Sequence, residues 1–331
     1  MNNETITGLD DRQLHLIILP TEQCNFRCTY CYEKFELKQM SNITSDSIIE
    51  FINNSSARLK LLNISWFGGE PLLGLRTIIK ISSAIQSITR SKDIVYVGHM
   101  TTNGYLLNIK NLTTLVNLGV NNYQITLDGF GQDHDNKRKK INGKGTFKVI
   151  WDNLIQARNS NLNFKITLRI HFSPNNLDET IMLFDNLSKH LIDDPRFELF
   201  FHSIDNLGGD HNLMNFFKTY EDKLNHLKKI ESIILRKPQT TEMAYICYAA
   251  KMNSFVIRSD ASIAKCTVSL DSEVNKIGFL KPDGTVKLDI NKLRSWAYQL
   301  IKGSEADKRC PSWKAQQHYL SNTKIHIHQI D

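Results

Sequence analysis

Short apolar segments alternate with longer segments of helical periodicity over residues 15–204, and this alternation constrains the fold more than any other feature. The strand candidates are rich in Ile, Val, Leu or Phe and cover residues 15–20, 63–68, 94–102, 121–128, 164–172 and 198–204. Helical periodicity is clearest over residues 45–59, 75–88, 109–118, 146–159 and 177–191. Thr44 or Ser45 is the expected N-cap of the first of these helices. Repeated β–α units predict an α/β fold with a parallel sheet and helices on its outer face.

Unusual residues cluster where the candidate strands end. Residues 21–32 follow the first strand, 69–71 the second, 103–104 the third and Gly129 the fourth. In barrels of β–α units, functional sites lie at the carboxyl ends of the strands. We therefore predict an open partial (β/α)6 barrel in preference to a flat doubly wound sheet, which the same repeats would also allow.

The regular alternation of strand and helix candidates ends after the candidate barrel. Residues 212–236 have the charge pattern of a long helix. From Lys237 onward short strands and turns appear, such as 254–258 and 282–285, followed by a helical segment over 291–302. We predict three parts, namely a barrel over 1–210, a helical connector over 211–236 and a small module over 237–331.

The composition is that of an ordinary globular protein. Hydrophobic residues make up 41% and charged residues 23% of the 331 residues. No run approaches the roughly 20 apolar residues of a membrane span, and the polar segment 1–13 has no apolar signal sequence. We expect a cytoplasmic protein with no membrane partner. The formal charge of +7 is a mild excess that does not by itself indicate nucleic-acid binding and would also suit an acidic peptide.

The six cysteines fall into two sets. Cys24, Cys28 and Cys31 form a C-x3-C-x2-C run, and the others are Cys247, Cys266 and Cys310. In a reducing compartment, clustered cysteines more often bind metal or do redox chemistry than form disulfides. Three thiolates can hold three irons of a [4Fe–4S] cluster and leave the fourth iron open to a substrate. Zinc is the competing metal, but it usually takes four ligands, and no second pair or histidine is suitably spaced.

The C-x3-C-x2-C run resembles the motif of the radical SAM superfamily. Three further segments support the resemblance, each placed at a predicted strand end: Phe67-Gly68-Gly69-Glu70-Pro71, Thr101-Thr102-Asn103-Gly104 and Thr126-Leu127-Asp128-Gly129. The resemblance covers roughly residues 14–205 and continues beyond them. It implies S-adenosylmethionine (SAM) bound at the open iron of a catalytic [4Fe–4S] cluster, and reductive cleavage to a 5′-deoxyadenosyl radical that abstracts a hydrogen atom.

The resemblance also implies roles for individual residues. Tyr30 is expected against the adenine of SAM, and Thr126 against its ribose. Two glycines allow close backbone approach, and Glu70 with neighbouring carbonyls would accept from the SAM ammonium group. Arg169 alternates with Thr167 and His171 on one strand, so Arg169 would pair with the SAM carboxylate if all three face the barrel interior. The expected cofactor-binding residues are Tyr30, Gly68, Gly69, Glu70, Pro71, Thr102, Asn103, Thr126, Asp128 and Arg169.

Other polar residues are candidates for substrate contact or for solvent exposure. His171 and Asp205 are the expected catalytic residues, and His202 and Asp210 are further candidates for contact with substrate. The basic run Lys137-Arg138-Lys139-Lys140 is predicted to be a solvated loop in preference to a docking patch. Near the end of the sequence, two histidines are predicted at the surface, His326 and His328.

The second cysteine set lies in a segment that resembles the SPASM/Twitch extensions of peptide-modifying radical SAM enzymes. Those extensions carry auxiliary iron–sulfur clusters, and a full SPASM extension needs about seven cysteines. Three of the expected cysteine positions hold Ala297, Leu300 and Ala306. The resemblance therefore implies one auxiliary [4Fe–4S] cluster on Cys247, Cys266 and Cys310, with a fourth iron that is open or has another ligand. Sulfatase maturases carry a catalytic Asp immediately after the second auxiliary cysteine, where this chain has Thr267.

The resemblance implies a maturase of ribosomally made precursor peptides that forms a cross-link after hydrogen abstraction. Peptide epimerisation is the alternative, but it needs a hydrogen-atom donor, usually a cysteine, and the assignment leaves no cysteine free. An RNA-modifying activity is a weaker alternative. The expected partners are a precursor peptide and an external electron donor such as flavodoxin or ferredoxin. Because the first strand begins near Leu14, we expect leader recognition by the barrel, the small module or a separate leader-binding protein.

Overall fold

The computed structural model describes residues 3–207, 215–234 and 245–327. Its strands are β1 Gln13–Ile18, β2 Phe26–Cys28, β3 Leu61–Trp66, β4 Val95–Thr102, β5 Val120–Leu127, β6 Arg138–Lys140, β7 Lys165–Phe172, β8 Phe197–Ser203, β9 Ser254–Ile257, β10 Ser262–Ala264, β11 Lys276–Leu280 and β12 Val286–Leu288. Its helices are α1 Asn3–Thr7, α2 Asn42–Ser55, α3 Leu75–Lys92, α4 Ile109–Asn117, α5 Gln132–Lys137, α6 Phe147–Arg158, α7 Leu177–His190, α8 Tyr220–Ile234, α9 Ile290–Lys302, α10 Glu305–Arg309 and α11 Ser312–Ile327. No helix in these ranges is long and apolar enough to cross a membrane.

Ten strands form one sheet in the order β12-β11-β10-β9-β1-β3-β4-β5-β7-β8. The segment from β1 to β8 in that order is parallel throughout, and β–α connections join its strands. The predicted α/β fold with a partial (β/α)6 barrel is therefore confirmed. All six predicted barrel strands are present, with bounds shifted by two residues or fewer.

The C-terminal strands continue the barrel sheet. Strand β9 pairs in parallel with β1, and β10 to β12 follow as antiparallel neighbours. The predicted boundaries at 1–210, 211–236 and 237–331 stay a prediction. Of the predicted connector, the structure describes helix α8 but not residues 208–214 or 235–244, so Asp210 lies outside the described residues. His328 lies outside them as well, and the side chain of His326 is not described.

The expected N-cap of the first barrel helix is wrong. Helix α2 begins at Asn42, and Ser41 is its N-cap, with an extended backbone and an oxygen that accepts from the N–H of Thr44 at 3.0 Å. Thr44 and Ser45 lie inside the first turn, where the Ser45 hydroxyl donates to the Asn42 carbonyl. Hydroxyl residues stand at all three positions, and only Ser41 has the extended conformation that a cap requires.

The barrel strands have two unlike faces. Leu16, Ile64 and Trp66 on the outer face are buried against the helices. The alternating residues on the inner, concave face are mostly polar and partly exposed, whereas the interior of a closed barrel is filled by bulky apolar side chains. A cavity of about 510 Å³ lies along this face towards the strand N-termini, and it is lined by His15, Asn63, Ser65, His99, Met100, Thr101, Asn122, Tyr123, Gln124, Lys165 and Thr167.

Candidate functional site

A second cavity of about 440 Å³ opens at the carboxyl ends of the barrel strands. Thr101 and Gln124 line both this cavity and the one below it. The sequence-predicted residues that line the upper cavity are Cys24, Cys28, Tyr30, Cys31, Gly68, Gly69, Thr102, Asn103, Thr126, Arg169, His171, His202 and Asp205. The loops that follow four barrel strands thus bring residues far apart in sequence to one place.

The cysteine loop between β1 and α2 is fixed by a two-stranded sheet. Within the loop, β2 pairs antiparallel with β6, which aligns Cys28 with Arg138. The Cys24 sulfur accepts the backbone N–H of Phe26 at 3.3 Å. Burial raises the pKa of Cys24 to about 12 and that of Cys31 to about 11. Burial thus disfavours the free thiolates, which a bound metal ion would stabilise.

Two glycines bring the loop after β3 against the cysteine loop. Gly68 has a φ of +117°, and a Cβ there would lie 2.2 Å from the Thr21 carbonyl oxygen. A Cβ on Gly69 would lie 2.6 Å from the Gln23 carbonyl oxygen. Only glycine allows this backbone approach, so both positions place main-chain atoms at the cavity wall.

Glu70 is fully buried at the end of β3 and is not among the residues that line the cavity. Its contact with a SAM ammonium group stays a prediction. The carboxylate accepts from the Leu72 N–H at 3.0 Å, the Thr102 hydroxyl at 2.7 Å and the Asn103 N–H at 2.7 Å. Glu70 is therefore a positioning residue that ties the ends of β3 and β4 together. Pro71 is also buried outside the lining, where it starts a short 3₁₀ turn.

Thr102 and Asn103 are held in place at the cavity by this arrangement. The Asn103 side chain donates to Asn25 of the cysteine loop at 2.8 Å and accepts from the Tyr105 N–H at 3.0 Å. Thr126 is nearly buried at the end of β5 and lines the same cavity. Its contact with a ribose stays a prediction.

A buried polar network lies beside the cysteine loop. The Tyr30 hydroxyl donates to Asp128 at 2.5 Å and accepts from Arg138 at 2.6 Å, and His171 Nδ1 lies 2.9 Å from the Asp128 carboxylate. Asp128 is fully buried and is not among the residues that line the cavity, and its direct contact with cofactor stays a prediction. Although burial opposes ionisation, His171 and Arg138 hold the pKa of Asp128 below its ordinary value. Asp128 therefore orients Tyr30 and His171, which do line the cavity.

Arg169 provides a positively charged side chain that lines the cavity. It lies on the concave face of β7 as expected, with His171 on the same face. No carboxylate in residues 3–207, 215–234 or 245–327 forms an ion pair with it, and its buried Nε has no hydrogen-bond partner there. Burial lowers its pKa. A half-buried guanidinium without an anion fits a carboxylate ligand such as that of SAM.

Asp205 lines the cavity with its charge already paired. Lys223 of α8 lies 2.9 Å from its carboxylate, and the Ser203 hydroxyl donates to it at 2.7 Å. Burial works against ionisation, but Lys223 and Ser203 lower the pKa of Asp205. The residue is therefore suited to accept hydrogen bonds from substrate and poorly suited to donate a proton. Burial lowers the pKa of the neighbouring His202 to about 4, so its imidazole is neutral.

The second cysteine set shares one local geometry with the first. Cys266 accepts the N–H of Val268 at 3.4 Å, and the N–H groups two residues after Cys247 and Cys310 lower the pKa of those thiols against the stronger effect of burial. The Cys247 N–H donates to the Lys308 carbonyl at 2.9 Å. This hydrogen bond brings helix α10, and Cys310 at its end, close to Cys247. A backbone donor aimed at sulfur stabilises the thiolate that a metal requires.

The second set lies close to the upper cavity without lining it. Thr267 and Val268, which directly follow Cys266, are part of the lining. In the described part of the chain, no three His, Cys, Asp or Glu side chains are grouped around a point for a single metal ion. A cluster in which each thiolate binds a different iron does not require such grouping.

Sequence reasoning missed the role of Arg138. The predicted solvated loop at Lys137–Lys140 is wrong at this position, because Arg138 is 8% exposed and contacts Tyr30. Lys137 donates to Glu179 and Lys139 is exposed. The only signal in the sequence is that Arg138 follows soon after the end of the fourth predicted strand. Strand β6 has three residues, which is too short to show an alternation of buried and exposed faces.

Comparison with known proteins places these features in a family. A sequence model described as Radical SAM superfamily matches residues 18–187. A GTP 3′,8-cyclase of Lactiplantibacillus plantarum is 31% identical over 174 residues, which is 51% of this chain and 48% of that protein. An uncharacterized protein of Methanocaldococcus jannaschii is 27% identical over 227 residues, 69% of each chain. The chain spans about half the length of the curated cyclases that it matches.

Solved structures match more of the chain than these sequences do. The structure of native anSMEcpe with bound AdoMet has a TM-score of 0.67 at 17% identity, over 96% of this chain and 100% of that one. Streptococcus suis SuiB bound to the precursor peptide SuiA has a TM-score of 0.59 at 14% identity, over 82% of this chain and 64% of that one. These likenesses show a shared fold that includes the C-terminal extension.

Proposed function

The chain belongs to the radical SAM superfamily, and from that premise we propose that it is a maturase of a ribosomally made precursor peptide. Membership implies SAM and a catalytic [4Fe–4S] cluster, which together supply a 5′-deoxyadenosyl radical for hydrogen abstraction. The observation that carries the proposal is the fold match over the whole of anSMEcpe, which includes the C-terminal extension of this chain. Both anSMEcpe and SuiB have been solved with peptides bound.

In this proposal, different residues at the cavity bind different parts of the two cofactors. Cys24, Cys28 and Cys31 hold the cluster, Arg169 binds the SAM carboxylate, and main-chain oxygens near Gly68 accept from its ammonium group. Tyr30 packs against the adenine and Thr126 faces the ribose. His171 and Asp205 are left to contact the substrate, while the loops exclude water from the reacting carbon.

The charges of the cavity favour a peptide over a nucleoside triphosphate, which the relationship to GTP 3′,8-cyclases would suggest. Phosphate groups are usually bound by several Arg or Lys side chains. Among the described lining residues the only Arg or Lys side chains are Arg138, which already contacts Tyr30, and Arg169. Glu33 and Asp205 add carboxylates to the lining. The lower cavity contributes Lys165, which pairs with Glu198 at 2.5 Å.

Co-expression with a short peptide encoded beside the gene tests the proposal, with mass analysis of the recovered peptide. A cross-link lowers the peptide mass by two hydrogens, whereas epimerisation in heavy water adds deuterium without that loss. A Cys28→Ser variant is the control and should leave the peptide unmodified. An unmodified peptide together with cyclisation of GTP by the purified protein would refute the proposal in favour of the nucleotide reaction.

We also propose an auxiliary cluster on Cys247, Cys266 and Cys310, which is supported by the N–H groups aimed at their sulfurs. Anaerobically purified protein should then contain about eight irons per chain, and about four after replacement of all three cysteines by Ala. About four irons in both proteins would rule out the second cluster. The electron for SAM cleavage is proposed to come from an external donor such as flavodoxin or ferredoxin.

A further inference from the structure

Arg138 is a buried cation directly beside the cysteine loop. It lies on β6, in register with Cys28 on β2, and the residue is 8% exposed. Its guanidinium lies over the Phe26 ring, 5.9 Å from the centroid, and donates to the Tyr30 hydroxyl at 2.6 Å. Strand pairing and side-chain contacts therefore both fix this charge relative to the loop that carries the three cysteines.

The charge of Arg138 is only partly compensated by protein groups. The Asp128 carboxylate lies 3.9 Å from its Nη1, separated from it by the Tyr30 hydroxyl, and the buried Nε has no partner among the described residues. Burial lowers the pKa of His134 to about 4, so this imidazole is neutral, and burial lowers the pKa of His171 against the opposing effect of Asp128. Lys137 pairs with Glu179. A buried cation is costly without nearby negative charge, and a thiolate at Cys28 on the paired strand would supply it.

We propose that the fixed positive charge of Arg138 raises the reduction potential of the cluster held by Cys24, Cys28 and Cys31. Reduction adds one electron and makes the cluster more negative, so a fixed positive charge in a medium of low dielectric constant stabilises the reduced form. No bond forms or breaks and no proton is needed. The inference requires the cluster of the family but no particular substrate, so it succeeds or fails independently of the proposed peptide reaction.

The test is an anaerobic redox titration of the full-length protein loaded with iron and sulfide. Dithionite supplies the electrons, and electron paramagnetic resonance follows the reduced cluster. The transition whose signal responds to added SAM belongs to the cluster with the open iron. Arg138→Gln should move the midpoint potential of that transition to a more negative value, and Arg138→Lys should restore it towards that of the unmodified protein.

Two further variants make the test decisive. Lys139→Gln removes a neighbouring but exposed charge from the same strand and should leave the midpoint potential unchanged. Asp128→Asn removes the opposing charge and should shift the potential to a less negative value, a sign that remains testable if Arg138→Gln fails to retain iron. The proposal is overturned if Arg138→Gln leaves the potential unchanged, if Lys139→Gln shifts it equally, or if Asp128→Asn fails to raise it.

Discussion

Among single residues, Arg169 is half-buried at the cavity and has no ion-pair partner among the described residues, which predicts its effect on SAM binding. Replacement by Gln should weaken SAM binding by about 10- to 100-fold, because hydrogen bonds to charged groups contribute about 1.5–3 kcal/mol. Equilibrium binding of SAM to the iron-loaded protein measures the change. Lys165→Gln is the matched control on the same strand and face, since Lys165 is half exposed and paired with Glu198. Equal weakening in both variants would contradict the role of Arg169.

Glu70 is predicted to matter for stability. Glu70→Ala removes a fully buried acceptor and leaves the Thr102 hydroxyl and the Asn103 N–H without partners. We expect the free energy of unfolding to fall by about 3 kcal/mol, since each buried unsatisfied donor costs about 1–3 kcal/mol. Urea unfolding followed by tryptophan fluorescence measures it, with exposed Glu36→Ala as control. A loss no greater than that of the control would mean that other groups satisfy these donors.

The sequence predicted which residues gather at the site better than it predicted their contacts. Cys24, Cys28 and Cys31, together with Gly68, Thr102 and Arg169, line the cavity as expected because motifs at parallel strand ends converge. Spacing does not tell whether the carboxylates of Glu70 and Asp128 face the ligand or the loop behind it, and in the structure both accept hydrogen bonds from protein groups. That orientation depends on backbone donors from other segments.

At the scale of elements, one ion pair fastens the C-terminal strands to the cysteine loop. Arg258, between β9 and β10, donates from Nε and Nη2 to the two oxygens of Glu22, at 2.8 and 2.7 Å. Glu22 is 3% exposed and lies two residues before Cys24. The position of the loop therefore depends on a contact between segments that are far apart in the chain.

Breaking this pair from one side should destabilise the protein more than removing both charges. Arg258→Met leaves the Glu22 carboxylate buried without a partner and should cost about 3–5 kcal/mol of unfolding free energy. The double variant Glu22→Gln/Arg258→Met should recover a large part of that loss. Urea unfolding of the two single variants and the double variant forms the cycle. Purely additive effects would show that the two charges do not interact.

Local sequence determined the bounds of the elements well where the periodicity is long. The apolar alternation of β4, β5 and β7 extends over eight residues each, and their bounds were predicted within one residue. The pairing of β2 with β6 could not be predicted, because each strand has three residues and the partners lie on different loops. The N-cap at Ser41 depended on a backbone conformation that composition does not reveal.

At the scale of the whole molecule, buried neutral histidines should make stability depend on pH. Burial lowers the pKa of His134 to about 4, from an ordinary value of 6.5. Between these values the unfolded chain binds a proton that the folded protein excludes, so stability is complete above pH 6.5 and falls as the pH is lowered towards 4.

The contribution of one histidine can be isolated by comparison with a variant. The stability advantage of the unmodified protein over His134→Gln should shrink by about 2 kcal/mol between pH 7.5 and pH 5. Urea unfolding of both proteins at the two pH values measures it. A difference that is independent of pH would show that His134 takes up a proton in the folded state as readily as in the unfolded one.

The overall architecture was largely predictable from the sequence, except for the way in which the C-terminal strands join the barrel sheet. Six β–α repeats implied the parallel sheet, and the sheet is present. The parallel pairing of β9 with β1 was not predicted, because residues such as His15 and Ser254 that meet across it are 239 positions apart. Segments so distant leave no joint pattern in one sequence.

That pairing has a consequence for how the protein is made. In the order of translation β1 precedes β3, which can cover one of its edges early, whereas its other edge stays unpaired until β9 has left the ribosome. An unpaired central strand invites association between nascent chains, and contacts between distant segments form slowly. Chains released before residue 254 would expose this apolar strand, so the yield of folded protein depends on completing synthesis.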